Sequence, residues 1–153
     1  MEWTVLISTV AGGAIATVSG GLLERWRWKR QRVDQSSENR RVLYGSYLAL
    51  LSKTRHKCGS LARATSMPPA ERSQGVWDTF EHCIGPRYEV EITAPPRVVT
   101  AATNTHRALA DLCDGIAQGV AHGSDEYDRL SHAYREVHKV LRSAMRSDLD
   151  AAA

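Results

Sequence analysis

The chain has 153 residues, 42% of them hydrophobic and 24% charged, which leaves room for one domain with one core beyond any membrane segment and too little for two. The net charge is +3, yet Val33 to Ala153 carries 15 basic and 15 acidic side chains, so the surplus is confined to the first 32 residues and argues against a nucleic-acid-binding body. Cys58, Cys83 and Cys113 are odd in number and widely spaced, with no Cys-x-x-Cys pair, which does not support a disulfide framework and suits a reduced, cytoplasmic setting.

The first element is Trp3 to Leu23, with no charge between Glu2 and Glu24. At ~1.5 Å per residue such a run spans ~30 Å, the thickness of a bilayer's hydrocarbon, and predicts a transmembrane helix. A cleavable signal peptide carries its positive charge ahead of the apolar run, whereas here Glu2 and the amino terminus are the only early charges. A buried core helix is the competing reading, because Gly12, Gly13, Gly20 and Gly21 with several Ser and Thr make the run only mildly hydrophobic. The flanks decide for the membrane. Trp3 at one end, and Arg25, Trp26, Arg27, Trp28, Lys29, Arg30 and Arg32 at the other, place aromatic rings and cations at two headgroup levels. Anionic headgroups attract such cations by about 1 kcal/mol each. The positive-inside rule then predicts a single pass through the cell inner membrane, N-terminus outside and C-terminal domain cytoplasmic.

Along the span, Ser8, Gly12, Ala16 and Gly20 step by four, and Thr9, Gly13, Thr17 and Gly21 run beside them. Small residues at that spacing let two backbones approach in lipid, so a homodimer or another membrane protein is the expected partner of this face. The organisation is thus residues 1–23 as anchor, 24–41 as a basic collar and helical stalk, and 42–150 as a cytoplasmic helical bundle.

In the body, Leu43, Tyr47, Leu50, Thr54, Cys58, Leu61 and Thr65 recur in steps of three and four, one buried face of a helix. Met67-Pro68-Pro69 stops it. A second helix is expected from about Ala70, with Glu71 in its first turn and Val76, Phe80 and Ile84 buried. Gly85-Pro86 interrupts it. Tyr88-Glu-Val-Glu-Ile92 alternates like a strand, but no second strand candidate exists to pair with it, so a kinked or restarted helix is expected over 85–93. Pro96 opens a third helix that buries Val98 or Val99, Ala102, His106, Leu109, Cys113, Ile116 and Val120. Gly119 and His122-Gly123-Ser124 end it. The last helix is capped by Ser124, carries Asp125, Glu126 and Asp128 where the helix dipole favours acids, and presents Tyr127, Leu130, Tyr134, Val137, Leu141, Met145 and Leu149 as a bundle or coiled-coil seam. Four amphipathic segments with short turns predict an all-α fold, an antiparallel bundle of about four helices behind the membrane helix.

The weakly hydrophobic N-terminal span, the Arg-rich exit, the helix start Ala94-Pro-Pro-Arg-Val-Val-Thr-Ala-Ala102 and the closing Met145-Arg-Ser-Asp-Leu149 together resemble uncharacterised single-pass helical proteins of actinobacteria. The resemblance covers most of the chain through loose patterns. It implies the topology and the all-helical domain, and no activity. Gly85-Pro86 departs from the unbroken second helix it implies.

Residues able to carry chemistry are scattered. His56, Cys58, His82, Cys83, His106 and Cys113 lack the close pairs with which zinc sites take two ligands from one turn, so neither metal nor cofactor is expected, and the cysteines read as small buried hydrophobes. Glu89 with Glu91, and Asp111 with Asp114, lie near polar faces and read as solvated. No phosphate-binding loop, nucleophile elbow or His-Glu-x-x-His is present, and an enzyme is not expected. Arg135, Lys139, Arg142 and Arg146 step by four, three and four as a basic stripe, either a solvated face or a contact for phosphates or an acidic partner. The function this predicts is protein–protein interaction or self-association at the membrane. The alternative is a membrane-tethered nucleic-acid or anionic-ligand binder using the stripe.

Overall fold

A computed structural model of the chain describes residues 37–151, in which all regular structure is helical. The expected span, the collar from Arg25 to Arg32 and the small-residue rows from Ser8 to Gly21 lie outside these residues. Among the described residues no helix is long and apolar enough to cross a membrane.

Helix α1 covers 37–63, followed by α2 (Pro69–Glu81), α3 (Ile84–Thr93), α4 (Pro96–Ala117) and α5 (Asp125–Ala151). Contacts between them fix the directions. Tyr44 donates to Asp148 while Arg55 reaches Ser131, so α1 and α5 are antiparallel. Arg97 meets Ser147 and the Thr105 hydroxyl lies 3.2 Å from the Val137 carbonyl, so α4 and α5 are antiparallel too. Gly75 lies against Leu61 and Cys83 against Thr54, so α2 runs back along α1. The result is an up-down-up-down bundle whose second rod is broken into α2 and α3.

Local chemistry explains the ends. Prolines open α2 and α4, where a first-turn residue needs no N–H donor. Ser124 caps α5 by accepting from the Tyr127 N–H at 3.2 Å. Gly119 and Gly123 take φ of 104° and 84° in the turn between α4 and α5, a region side chains disfavour. Pro86 has no N–H to donate to the carbonyl of His82, so the second rod cannot run through it, and it is accommodated in the first turn of a new helix instead.

The break shifts the register. Ile84, expected in the core, is 39% exposed, and Cys83 takes the buried place beside Thr54. Farther along α3, Val90 is fully buried while Tyr88 and Ile92 are 52% and 83% exposed. At 100° per residue, positions two apart point to nearly opposite sides, so the strand-like alternation belongs to a helix with one apolar residue inward and an apolar row outward.

Three other faces need correction. The seam of α1 is centred on Tyr44, Tyr47, Leu51, Thr54 and Cys58, with Leu43 and Leu50 half-buried at its edge; Thr65 lies past the helix end and is exposed. On α5, Tyr127, Leu130, Tyr134, Leu141 and Met145 are buried as expected, but Val137 is only half-buried. Its backbone approaches α4 at Thr105, and the small Ser131 and Ala144 complete the close-packed face. On α4, His106 is half-buried beside a seam of Val98, Ala102, Leu109, Cys113 and Ile116.

Candidate functional site

The three cysteines converge in the bundle core and are fully buried. Cys58 Sγ and Cys113 Sγ are 3.4 Å apart, and Cys83 Sγ is 3.2 Å from Thr54 Oγ1. The contact with Cys58, then burial, pushes the Cys113 thiol up, and burial does the same to Cys83. The neutral thiol is thereby favoured at Cys113 and Cys83, while the same contact lowers the Cys58 thiol against the effect of its burial.

The histidines do not join them. His56 and His82 are exposed, and His82 Nδ1 donates to the Asp78 carbonyl at 2.7 Å. His106 packs on Phe80 with ring centres 4.7 Å apart, and burial, then the nearby Arg87, lowers its pKa. Among the described residues no three His, Cys, Asp or Glu side chains are grouped to hold a metal ion. The carboxylate pairs are separated in use: Glu91 pairs with Arg87 at 3.3 Å, Asp114 accepts from Gln118 at 2.7 Å, and Glu89 and Asp111 are exposed.

The basic stripe of α5 divides between two hollows along its seam with α1. Arg142 and Arg146 line a groove of about 380 Å³ with Arg41, Tyr44 and Leu48, and Asp150 adds an acid there. Lys139 is 73% exposed and pairs with Glu136 at 3.2 Å. Arg135 lines a separate cleft of about 230 Å³ with Arg55, His56, Arg63, His122 and Asp128. The four cations thus share one side of α5, but the arginines among them line different hollows. The sequence reading missed Arg55, Arg63 and His122; the available signal was the eight-residue spacing of the two arginines, which places them on one side of α1.

The third feature is the outward row of α3. Ile84, Tyr88 and Ile92 follow one another at intervals of four and stay open to solvent, with Trp77 of α2 39% exposed as well. The Arg87 guanidinium sits 5.1 Å from the centre of the Tyr88 ring. Comparison with protein-family models, with curated proteins and with solved structures finds no match to the chain.

Proposed function

We propose that the protein is a membrane-anchored, cytoplasmic helical protein that works by binding another protein or a second copy of itself, with the outward face of α3 as its contact. The observation that carries this is the row Ile84, Tyr88 and Ile92, three large apolar side chains aligned on one helix face and 39%, 52% and 83% exposed. Such rows are the anchors of helix-mediated recognition, and covering each side chain is worth about 1.5 to 3 kcal/mol. The anchoring half of the reading rests on the uncharged run from Trp3 to Leu23 and the aromatic and basic collar after it.

A photo-crosslinking residue at position 92, in the full chain in its own membrane, tests the contact. A discrete adduct is expected there, at twice the chain mass or at that of a partner, absent from the same substitution at the exposed His132 and lost when Tyr88→Glu is added. Equal adducts at 92 and 132 would remove the support for α3. For topology, a cysteine at position 2 should react with a membrane-impermeant reagent added outside intact cells, while one beyond residue 40 should not; the reverse pattern overturns the orientation.

The alternative, a membrane-tethered nucleic-acid or anionic-ligand binder, finds support at one end of the stripe, where Arg135 is joined by Arg55 and Arg63. A compact cleft of that kind favours a small anion over a polynucleotide, whose successive phosphates need an extended basic track.

A further inference from the structure

We propose that the cleft formed by Arg55, Arg63 and Arg135 binds a phosphate monoester group, a dianion, in a site separate from the α3 face. This sharpens the anionic-ligand alternative and does not depend on the α3 contact.

The first argument is uncompensated charge. Three guanidiniums and one carboxylate, Asp128, line the cleft, a net charge of +2 with the histidines neutral. Among the described residues none of the three arginines is in an ion pair. Their hydrogen bonds go to neutral acceptors at the long end of the range: Arg55 Nη2 to Ser131 Oγ at 3.2 Å, Arg135 Nε to the Ser131 carbonyl at 3.2 Å and Arg63 Nη2 to His122 Nε2 at 3.3 Å. Arg55 Nε is shielded from water and has no acceptor at all. The three like charges repel one another and the shielded Arg55 Nε leaves bonding capacity unused; an anion between the guanidiniums offsets the repulsion and offers that donor an acceptor.

The second argument is that the frame holding the charges is built independently of any ligand. Arg55 and Arg63 lie two turns apart on α1, and Arg135 comes from the antiparallel α5. The turn between α4 and α5 is tied to the end of α1 by the bond from the His122 N–H to the Ala62 carbonyl at 3.1 Å, which sets the His122 ring beside Arg63. His122 also packs on Tyr127, with ring centres 4.7 Å apart.

Size and donor type then select the ligand. At about 230 Å³ the cleft is smaller than the ~300 to 1,000 Å³ of sites that enclose a drug-sized molecule, so it takes one charged group and leaves the rest of the ligand outside. Arginine forks match the paired oxygens of phosphate, and a dianion balances the net charge of +2 where a carboxylate would balance half of it.

A soluble phosphate compound and a lipid headgroup such as phosphatidate share this chemistry, and two arms of one experiment separate them. The full chain is reconstituted in nanodiscs of phosphatidylcholine, and inorganic phosphate is titrated calorimetrically; in the second arm phosphatidate replaces part of the lipid and thermal stabilisation is read. Saturable binding or stabilisation is expected in at least one arm. It should weaken at least tenfold, or vanish, in Arg63→Gln and in Arg135→Gln, two exposed positions whose replacement is expected to leave the far-UV spectrum intact. Arg142→Gln and Ile92→Glu should bind as the wild type does. A response in the first arm assigns a soluble phosphate compound, and one confined to the second assigns a lipid headgroup. No response in either arm, or a response equally strong in all four variants, overturns the site and leaves the α3 contact untouched.

Discussion

Val90 and Ile92 are two residues apart on α3, one fully buried and the other 83% exposed, and that contrast gives a sharp test of the helix and its rotation. Val90→Ala removes two methyl groups from a closed site. At ~0.8 kcal/mol per buried group the transfer cost is ~1.6 kcal/mol, and the unfilled space raises it to about 2 to 3 kcal/mol. Ile92→Ala removes more atoms, but from water, and should stay within about 0.5 kcal/mol. For a domain of this size the first change lowers Tm by roughly 10 °C, and the second by no more than about 2 °C. Far-UV circular dichroism of the full chain in a neutral detergent, melted thermally and in urea, reads both. The reasoning fails if Ile92→Ala costs as much as Val90→Ala, since a strand or a rotated helix would bury both residues or exchange them. Tyr88→Glu, at a position 52% exposed, should melt like the wild type and still lose the crosslink from position 92, which separates contact from stability.

The same method checks the register of α5. Leu141, fully buried, should lose about 2 to 5 kcal/mol on change to Ala, while Val140, 60% exposed, should change by no more than about 0.5 kcal/mol. His106 and His138 supply a pH dependence. Burial first, then Arg87 for His106 and Arg142 with Arg55 for His138, holds both below the ordinary value of 6.5. The unfolded chain then binds protons that the native state refuses, so their contribution is complete above about pH 7, declines as the pH falls through that ordinary value, and levels off below the native values. In urea titrations at about pH 7.5 and 5.5, the His106→Gln, His138→Gln double variant should lose less stability on acidification than the wild type; an equal or larger loss refutes the assignment.

The parts of the fold legible in the sequence are those where one local signal settles the outcome. The Ser124 cap with Asp125, Glu126 and Asp128 placed the start of α5, and Pro96 that of α4. The seam of α1 was legible at Tyr47, Thr54, Cys58 and Leu61, all buried, but at two places the neighbour is the buried residue, Tyr44 for Leu43 and Leu51 for Leu50, because adjacent apolar residues offer choices that spacing does not decide. Residues 84–93 were ambiguous for a different reason. A helix apolar on two opposite faces gives the period of a strand, and no neighbour in sequence says which face will be covered. Beyond the spacing of Arg55 and Arg63, the basic cleft was illegible because it joins residues of α1, Arg135 of α5 and His122 of the turn before α5, far apart in the chain and each resembling a solvated position by itself. The stripe on α5 was legible as a spacing, but the groove and the cleft that divide it depend on α1.

Three buried tyrosines on the α1–α5 side of the bundle look alike by exposure and should respond differently when their hydroxyls are removed. Tyr44 donates to Asp148 at 2.7 Å, and Arg40 holds the same carboxylate at 3.2 Å, so this hydroxyl bonds to a charged, ion-paired group. Tyr47 and Tyr134 have hydroxyls shielded from water with no hydrogen-bond partner among the described residues, and burial is the leading cause of their raised pKa values. A hydrogen bond to a charged group is worth about 1.5 to 3 kcal/mol, whereas a buried hydroxyl without a partner is a cost of the order of 1 kcal/mol or more. Tyr44→Phe should therefore destabilise the domain by about 1.5 to 3 kcal/mol and leave Asp148 short of a donor. Tyr47→Phe and Tyr134→Phe keep the ring packing, Tyr134 stacking on His138 with centres 5.5 Å apart, and should leave stability unchanged or raise it by about 1 kcal/mol. Urea midpoints of the three variants decide. A loss above about 1 kcal/mol in Tyr47→Phe or Tyr134→Phe would mean that the hydroxyl makes a bond worth having, and would contradict an interior in which those two side chains serve only as packing.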